Sequence, residues 1–449
     1  MSIKSAFLSF LLIGPGASAS AATGPAPLVV ISIDGLHPSY VLEADRFGLK
    51  IPNLRQLLRD GAHASAVTGV MPTVTYPSHT TLVTGVSPAR HGITTNTTFD
   101  PLGKNQDGWY WYADDIRVEA LWDVATKAGL VTSAVDWPVT VGAHLTWNIA
   151  QVWRANTPDD AKLSRVVSTP GLLNEAEKAI GPWLSGYAYE VADDRRKAAF
   201  DVWMIESKKP RLHFAYFSGL DEEQHESAPY TPKVFATLEQ IDALVGEIRG
   251  AAERAGGGRA IVAVVSDHGH STTDKELHLN EALREAHLMW LDGKGKVTDW
   301  RAFAWLAGGS AGIFIKDPAD DDARTTVAQV IETLRRDPSH PIAHVWKGDE
   351  VRSTQGFAGA DFVVSVSRDY RLGGSLEGKV LRPGIPKGTH GHAPDLTDVD
   401  ASFFIAGPGI PAGLDLGRID MRDVAPTLAG RLGLELPAAE GRNRLLPRP

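Results

Sequence analysis

The sequence predicts an α/β fold in which a mainly parallel sheet is covered by helices on both faces. Short apolar runs, such as Leu28 to Ile33 and Leu212 to Phe217, have the length and continuous hydrophobicity of buried strands. Helical patterns follow these runs. The clearest begins at Thr231-Pro232 and keeps apolar residues at helical spacing as far as Ile248. Strands that alternate with helices in this way are typical of a parallel sheet with both faces buried.

The same alternation continues along the chain, up to a segment of different character. Further predicted elements are a helix that Pro52 opens and Gly61 closes, a helix over Val118 to Ala128, strands over Leu130 to Val135, Ala260 to Val265 and Ala401 to Ala406, and a last helix near 423–432. Between about 271 and 388 the pattern changes to short strands, such as Gly312 to Ile315 and Phe362 to Val366, with a helix near 325–335. We interpret this segment as a cap subdomain inserted into a catalytic domain that spans 23–449.

The composition excludes several classes of function. The 449 residues are 43% hydrophobic and 22% charged, which is ordinary for a globular chain. A net charge of −9 argues against nucleic acid as a stable partner and against binding anionic membranes through bulk charge. The chain has no cysteine, so disulfides, thiolate metal ligands and a cysteine nucleophile are excluded. Any zinc must therefore be held by histidine and aspartate.

The first residues predict the compartment. Lys4 precedes an apolar run from Ala6 to Ile13, and small residues follow over 17–22. This pattern is typical of a cleaved signal peptide over residues 1–22, and it predicts a periplasmic or secreted protein. A disordered N-terminus or a membrane anchor is the alternative, although the apolar run is too short to span a bilayer. No later stretch predicts a membrane span.

Three predicted strands end in aspartate, at Asp34, Asp221 and Asp267. Ligands of open α/β sheets bind outside the carboxyl ends of the strands. A single aspartate at a strand end is commonly a turn or helix cap. Three carboxylates at one edge would repel one another unless a cation lies between them.

Histidines accompany these aspartates at spacings that suit metal binding. His225 follows Asp221 by one helical turn, His268 follows Asp267 directly, and His390 lies in a glycine-containing loop. The ligands sort into two groups, Asp221, His225 and His390 for one ion and Asp34, Asp267 and His268 for the other. Each group offers three ligands and leaves a fourth position open, as a catalytic zinc requires. The share of imidazole favours two Zn²⁺ over Mg²⁺.

Thr75 is the candidate nucleophile. It begins a short helical run that ends at Gly85, and Pro77 suits the first turn. A helix N-terminus favours an anion such as phosphate. Taken alone, Thr75 is preferably interpreted as a helix N-cap, and only the metal-ligand groups favour the nucleophile.

With these residues, the chain resembles the alkaline phosphatase superfamily, and within it the nucleotide pyrophosphatase/phosphodiesterase family. The resemblance is to a bacterial, secreted member of that family. The resemblance rests on Pro72 to His79 with Leu82 to Gly85 and His91-Gly92-Ile93, on Asp267-His268-Gly269, and on His390-Gly391. It implies an alkaline-phosphatase-like three-layer sandwich and two Zn²⁺. It also implies Thr75 as the nucleophile and as a contact of the ion at Asp34, Asp267 and His268. Three further residues receive implied roles: Asn96 binds a phosphoryl oxygen, Tyr76 packs on the substrate, and Trp137 supports the wall of the substrate site.

The resemblance is incomplete near the ligands. Ser78 stands where the family has asparagine, Gln224 stands where it has glycine, and His392 follows His390-Gly391 where tyrosine or serine is common. A sulfatase is excluded because threonine cannot become formylglycine. A phosphonoacetate hydrolase or a phosphomonoesterase of the superfamily stays open. A secreted metal-binding pseudoenzyme is the non-enzyme alternative, and it predicts a lost ligand or nucleophile.

The expected function is therefore a two-zinc hydrolase of phosphodiester or nucleotide pyrophosphate bonds with a phosphothreonine intermediate on Thr75. Its partner is a small-molecule phosphate ester or nucleotide. Asn96 would donate to a non-bridging oxygen in the transition state. A single asparagine supplies little positive charge, which favours monoanionic diesters over dianionic monoesters. The sequence does not indicate an oligomeric state.

Overall fold

The computed structural model describes residues 26–105, 108–154 and 157–446. The expected signal segment, residues 1–22, lies outside these ranges. The strands are β1 Leu28–Ile33, β2 Ala62–His63, β3 Ala66–Thr68, β4 Thr132–Val135, β5 Trp147–Ile149, β6 Leu212–Phe217, β7 Ile261–Val265, β8 Ser271–Leu277, β9 Met289–Leu291, β10 Val297–Trp300, β11 Ala302–Ala307, β12 Ser310–Ile315, β13 Ile342–Lys347, β14 Phe362–Val366, β15 Tyr370–Leu372, β16 Leu381–Thr389, β17 Phe403–Ala406, β18 Leu414–Asp415 and β19 Arg418–Asp420.

Helices connect most of these strands. They are α1 Ser39–Leu42, α2 Ala44–Phe47, α3 Pro52–Asp60, α4 Thr75–Thr84, α5 Pro88–His91, α6 Leu121–Lys127, α7 Pro158–Val167, α8 Leu172–Ile180, α9 Val191–Lys208, α10 Gly219–Ser227, α11 Pro232–Ala255, α12 Leu279–Glu285, α13 Asp321–Arg335, α14 Asp349–Ser353 and α15 Val424–Arg431. Short 3₁₀ turns lie at Ala113–Asp115, Thr397–Val399 and Met421–Asp423. In the described ranges, no helix is both long enough and apolar enough to cross a membrane.

The centre of the fold is an eight-stranded sheet in the order β18-β2-β17-β7-β1-β6-β4-β5. β1 pairs in parallel with β6 on one side and β7 on the other, and β4 pairs in parallel with β5 and β6. β17 runs antiparallel to β7 and β2. The mainly parallel α/β sheet that the alternation of strands and helices predicts is confirmed.

The two faces of this sheet carry separate cores, because alternate residues of β1 point in opposite directions. Leu28 and Val30 pack with α4, α6 and α15. Val29, Ile31 and Ile33 pack with α3, α9 and α11. A strand buried on both faces needs a continuous apolar run, which explains why the sequence of β1 has no polar alternation.

The chain between β8 and β16 forms three further sheets. β11-β12-β14-β13 is a four-stranded antiparallel sheet with its own core against α12 and α13. β9 pairs with β10, and β15-β8-β16 forms the third sheet. β8 and β16 pair with each other, and Ser271 stands opposite Thr389. The chain therefore leaves the central fold and returns to it at one place.

Two helices begin at residues other than those predicted, and a local hydrogen bond explains each difference. The helix predicted over Val118 to Ala128 begins only at Leu121, where the carboxylate of Asp123 accepts a hydrogen bond from the N–H of Ala120. The helix predicted near 325–335 begins four residues earlier, at Asp321. The Asp320 carboxylate accepts a hydrogen bond from the Ala323 N–H there and caps the first turn.

Candidate active site

The carboxyl ends of β7, β1 and β6 meet at one edge of the central sheet, since these three strands are parallel neighbours. Asp34 directly follows β1, and Asp267 follows β7 after one serine. α10 begins two residues after β6 and carries Asp221 and His225 on adjacent turns. The topology thus brings the three predicted aspartates together at this edge.

Asp34, Asp267 and His268 form what we call the buried group. Their ligand atoms all lie within 4.8 Å of one another. His268 Nε2 lies 3.1 Å from Asp267 Oδ2 and 3.5 Å from Asp34 Oδ1. All three side chains are buried. This is the set of protein ligands that the sequence assigns to one ion.

Asp221, His225, His270 and His390 form what we call the open group, with ligand atoms within the same 4.8 Å limit. The Nδ1–H of His225 donates to the Gly388 carbonyl at 3.0 Å, and the Nδ1–H of His390 donates to the Thr73 carbonyl at 3.0 Å. These bonds leave both Nε2 atoms as lone-pair acceptors, yet the two lie only 3.2 Å apart. Two facing acceptors at this distance favour a cation between them.

His270 is a member of the open group that the sequence analysis missed. Its Nε2 lies 3.0 Å from Asp221 Oδ1, and its side chain is fully buried. Its ring lies edge-on to His225 at 4.9 Å. The repeat Asp267-His268-Gly269-His270 is the signal that could have identified it, since a second imidazole follows the first by two residues.

The charges at the site are unbalanced without a cation. Burial, together with the nearby Asp267 and Asp221, raises the pKa of Asp34 well above its usual range. Burial would also raise the pKa of Asp221, but His225 and His270 outweigh it and hold the pKa well below normal. Asp34 Oδ1, Asp221 Oδ1 and Asp267 Oδ2 are buried and find no hydrogen-bond donor of proper geometry among the described residues. Orphaned carboxylate oxygens that face histidines fit bound cations.

Thr75 is the first residue of α4, directly beside the metal-ligand groups. Val74 occupies the N-cap position and no side chain caps this helix, so the N-cap interpretation of Thr75 is wrong. Below Thr75, His79 donates its Nδ1–H to the Thr75 carbonyl at 2.8 Å and its ring contacts Asp267 at 3.6 Å. The hydroxyl is thus placed at a helix N-terminus, where free N–H groups favour an anion.

Asn96 is oriented by the same helix. Its Oδ1 accepts a hydrogen bond from the N–H of Tyr76 at 2.9 Å. This contact fixes the side-chain amide, because only the oxygen can accept. The NH₂ group is then left to donate toward the pocket that Asn96 lines.

One pocket of about 260 Å³ joins these residues. It is lined by Asp34, Thr75, Tyr76, Asn96, Trp109, Gln151, Trp153, Tyr189, Tyr216, Ser218, Asp221, Glu222, His225 and His390. Asp267 and His268 lie beneath it. Among the described residues that line the pocket, there is no lysine or arginine.

The side of the pocket away from the ligands is aromatic. The Tyr76 ring meets Trp109 edge-on at 5.2 Å, and Trp109 meets Trp153 at 4.9 Å. Tyr189 closes the row, 5.5 Å from Trp153. The Tyr76 hydroxyl donates to Gln151 at 2.7 Å. Only Tyr76 of this wall was predicted, because Trp153 and Tyr189 come from distant parts of the chain.

Trp137 does not line the pocket. It is fully buried, and its ring packs edge-on against His79 at 5.1 Å and against Phe214 at 4.9 Å. Direct contact with a substrate is therefore not available to Trp137. Its position supports His79, and through His79 the start of α4.

Gln224 and Ser78, which depart from the family pattern, lie behind the ligands. The Gln224 side chain accepts a hydrogen bond from the Tyr40 hydroxyl at 2.8 Å and donates to the Gly35 carbonyl at 3.0 Å. It thereby ties α10 to the turn after Asp34. Ser78 is fully buried in α4. Neither residue takes a ligand position.

Comparison with known proteins places the chain in a well-populated group. Residues 28–393 match the family model described as type I phosphodiesterase/nucleotide pyrophosphatase. Human ectonucleotide pyrophosphatase/phosphodiesterase family member 7 is 24% identical over 97% of this chain and 86% of its own length. An uncharacterised pyrophosphatase/phosphodiesterase of Schizosaccharomyces pombe is 24% identical over 84% of this chain and 70% of its own length.

Solved structures show the same fold. Murine ectonucleotide pyrophosphatase/phosphodiesterase 5, an inactive threonine-to-alanine variant in complex with AMP, matches with a TM-score of 0.66 and 19% identity, over 94% of this chain and all of that chain. The human protein of the same name matches with a TM-score of 0.65 and 19% identity, over 92% of this chain and 97% of that chain. The alkaline-phosphatase-like fold that the resemblance implies is confirmed.

Proposed function

The chain belongs to the type I phosphodiesterase/nucleotide pyrophosphatase family, and on that premise we propose that it hydrolyses phosphodiester or nucleotide pyrophosphate bonds through a phosphothreonine intermediate on Thr75. The observation that carries the proposal is that both ligand groups, Thr75 and Asn96 meet at one pocket. A pseudoenzyme would lack a ligand or the nucleophile, and this site lacks neither.

Two cations, proposed as Zn²⁺, would be held by the open group and by the buried group. Aspartate and histidine donors in this proportion suit zinc better than magnesium. Bound there, the ions supply Lewis-acid stabilisation of the oxygens around phosphorus and lower the pKa of hydroxyls that contact them. The tautomers of His225 and His390, fixed by backbone carbonyls, present their lone pairs for this purpose.

The chain's own residues then carry out two displacements. The Thr75 oxygen, as the alkoxide, attacks phosphorus, and the bond from phosphorus to the leaving oxygen breaks with its electron pair. The Asn96 NH₂ donates to a non-bridging oxygen as its charge grows. In the second step water attacks the phosphothreonine, the Thr75–phosphorus bond breaks, and the free hydroxyl is restored.

The charge of the pocket supports a diester or pyrophosphate substrate over a monoester. Asp34, Asp221 and Glu222 line the pocket, and none of its described residues is lysine or arginine. Two bound Zn²⁺ would attract either anion, and beyond them the described lining provides no lysine or arginine to pair with the additional negative charge of a monoester dianion. The aromatic wall of the pocket, formed by Tyr76, Trp109, Trp153 and Tyr189, supports binding of a flat organic group. The nucleotide base of the AMP in the murine relative's complex is such a group.

The test is a comparison of kcat/KM for a phosphodiester, a nucleotide pyrophosphate, a phosphomonoester and phosphonoacetate. We expect the first two to exceed the last two by at least about tenfold, the equivalent of about 1.4 kcal/mol in the barrier. A preference for the monoester or for phosphonoacetate would assign the chain to one of those sibling activities. Metal analysis of the protein, loaded with Zn²⁺ and desalted, should find two ions per chain.

We also propose a periplasmic or secreted location, supported by the pattern of residues 1–22 and by the absence of cysteine. N-terminal sequencing of the exported protein tests this. A start near residue 23 is the expected result, and recovery of the intact N-terminus from the cytoplasm would contradict it.

A further inference from the structure

A buried ion-pair network lies directly behind the pocket. Lys197, on α9, is only 1% exposed. Its Nζ lies 3.0 Å from Asp136 Oδ2 and 3.4 Å from Asp194 Oδ1, and it donates to Ser218 Oγ at 3.0 Å. Both carboxylates are also fully buried. A lysine in this position is rare, because a buried ammonium group must be fully paired.

One side of the network holds the start of α10. Asp194 Oδ1 accepts a hydrogen bond from the N–H of Ser218 at 3.0 Å, and Asp194 Oδ2 accepts one from the N–H of Gly219 at 2.8 Å. The fit is close: a Cβ at Gly219 would lie 2.6 Å from Asp194 Oδ2. Asp221 and His225 follow on this helix. Asp194 therefore fixes the end of the helix that carries half of the open group.

The other side of the network holds the aromatic wall. Asp136 Oδ1 accepts a hydrogen bond from the Tyr187 hydroxyl at 3.1 Å, and the Asp136 carbonyl accepts one from Gln151 Nε2 at 3.1 Å. Gln151 in turn accepts the hydroxyl of Tyr76 at 2.7 Å. Asp136 has φ 56°, in the left-handed region, which aspartate adopts more readily than most residues other than glycine. Its side chain and its carbonyl thus connect Lys197 to the wall through Tyr187 and Gln151.

Stability alone does not explain such a network. One lysine and two carboxylates leave a net charge of −1 in the interior, and burial raises the pKa of Asp194 to about 6. Burial acts to lower the pKa of Lys197, but Asp136 and Asp194 outweigh it and raise the pKa. Buried ion pairs often contribute less to stability than apolar residues of the same size. Their better-attested effect is to select one arrangement of the elements that they join.

We propose that Lys197 is a positioning residue that holds the metal-ligand helix α10 in register with the aromatic wall of the pocket, through Asp194 on one side and Asp136 on the other. The proposal rests on the proposed function in that it takes the open group to bind a metal ion. Lys197 itself does not line the pocket and is assigned no contact with substrate.

Two shape-conserving variants separate the sides of the network. In Asp194→Asn, one carboxylate oxygen becomes an NH₂ group, so one of the two N–H groups at the start of α10 loses its acceptor. We expect the Kd of the open group for Co²⁺ to rise 10- to 100-fold, as for other residues that orient metal ligands, while the buried group keeps its affinity. The measurement is Co²⁺ titration of the metal-free protein, followed by visible absorption, with His225→Ala to assign the open group.

Asp136→Asn should instead weaken binding of the organic part of the substrate to the aromatic wall. It weakens one buried contact worth about 1 kcal/mol, so KM for a nucleotide substrate should rise roughly fivefold with kcat within about twofold. Co²⁺ affinity should not change. Lys197→Met should show both effects, because it removes the common partner.

Lys208→Met is the matched control, since Lys208 lies on the same helix and pairs with Glu175 away from the pocket. It should leave both readouts unchanged. Thermal melts show which variants fold, and if Lys197→Met does not, the two asparagine variants still decide. The inference is overturned if Asp194→Asn leaves Co²⁺ binding unchanged or weakens both groups equally. A wild-type protein that binds fewer than two ions would instead overturn the proposed function.

Discussion

The two ligand groups differ in how the fold builds them. The buried group is held by residues directly after β1 and β7 in the central sheet, and its side chains are at most 2% exposed. The open group is assembled from α10, the segment after β7 and the loop after β16, and the His225 side chain is 35% exposed. An ion in the buried group would lie deeper, since Asp34 is the member of that group that lines the pocket, whereas an ion in the open group would be reached directly from the pocket. The difference predicts that an ion in the open group exchanges with solvent faster than an ion in the buried group.

Replacing Thr75, the proposed nucleophile, tests whether the two groups act as one site. In Thr75→Ala, turnover should fall by at least about 10⁴-fold, because the intermediate cannot form. Both ions should remain bound, because the aspartate and histidine ligands of the two groups are unchanged in this variant. The measurement is kcat on a diester, together with metal content. Thr80→Ala is the control, because that hydroxyl donates to the Tyr76 carbonyl within the same helix. Retained turnover in Thr75→Ala would remove the nucleophile assignment.

His270 tests whether the open group has three working members or four. His270→Ala should weaken Co²⁺ binding to the open group by 10- to 100-fold and leave the buried group unchanged, because His270 Nε2 lies 3.0 Å from Asp221. The absorption intensity of bound Co²⁺ then shows whether the coordination number changed, which separates a direct ligand from a residue that orients Asp221. Equal affinity in the variant and the wild type would contradict any role at the metal.

Chelation tests the difference in access. With excess chelator, the metal-loaded protein should release its ions in two phases that differ by at least about tenfold in rate, because the open group is more exposed to solvent than the buried group, of which only Asp34 lines the pocket. Asp221→Asn should abolish the fast phase and Asp267→Asn the slow one. A single phase for both ions would show that the groups open together.

His91 provides a reference for pH effects that arise outside both groups. Burial lowers its pKa to about 3 from an ordinary 6.5. Below pH 6.5 the unfolded chain takes up a proton that the folded chain does not, so stability falls as the pH falls from 6.5 toward 3. His91→Asn should reduce this dependence by about 1.4 kcal/mol per pH unit, as measured by urea unfolding of metal-free protein between pH 4 and 6. An unchanged slope would show that His91 is protonated in the folded chain.

The sequence predicts the site best where the candidate ligands directly follow strands of the central sheet. Asp34, Asp221 and Asp267 follow strands that are neighbours in the sheet, so the pattern of strands predicts that they meet. The apolar runs predict the bounds of β1 and β6 residue for residue, because a strand buried on both faces is predominantly apolar.

The rest depended on contacts between distant parts of the chain. Trp153 and Tyr189 lie in segments whose sequence has no periodic or motif signal, and only the folded chain brings them beside Tyr76. The resemblance places Trp137 in support of the wall of the substrate site, whereas its ring is fully buried against His79 and does not line the pocket. The Lys197 network was likewise not predicted, since a lysine on an amphipathic helix is ordinarily interpreted as solvent-exposed.

The pairing of β8 with β16 has an evolutionary consequence. Ser271 and Thr389 stand opposite each other, and each adjoins a histidine of the open group, His270 on one side and His390 on the other. These two histidines of the open group therefore lie where the segment between β8 and β16 leaves the central fold and returns to it. Lineages could lengthen, shorten or exchange the sheets above that base without moving either histidine. This arrangement would allow the same hydrolytic site to be combined with inserted segments of different size and structure.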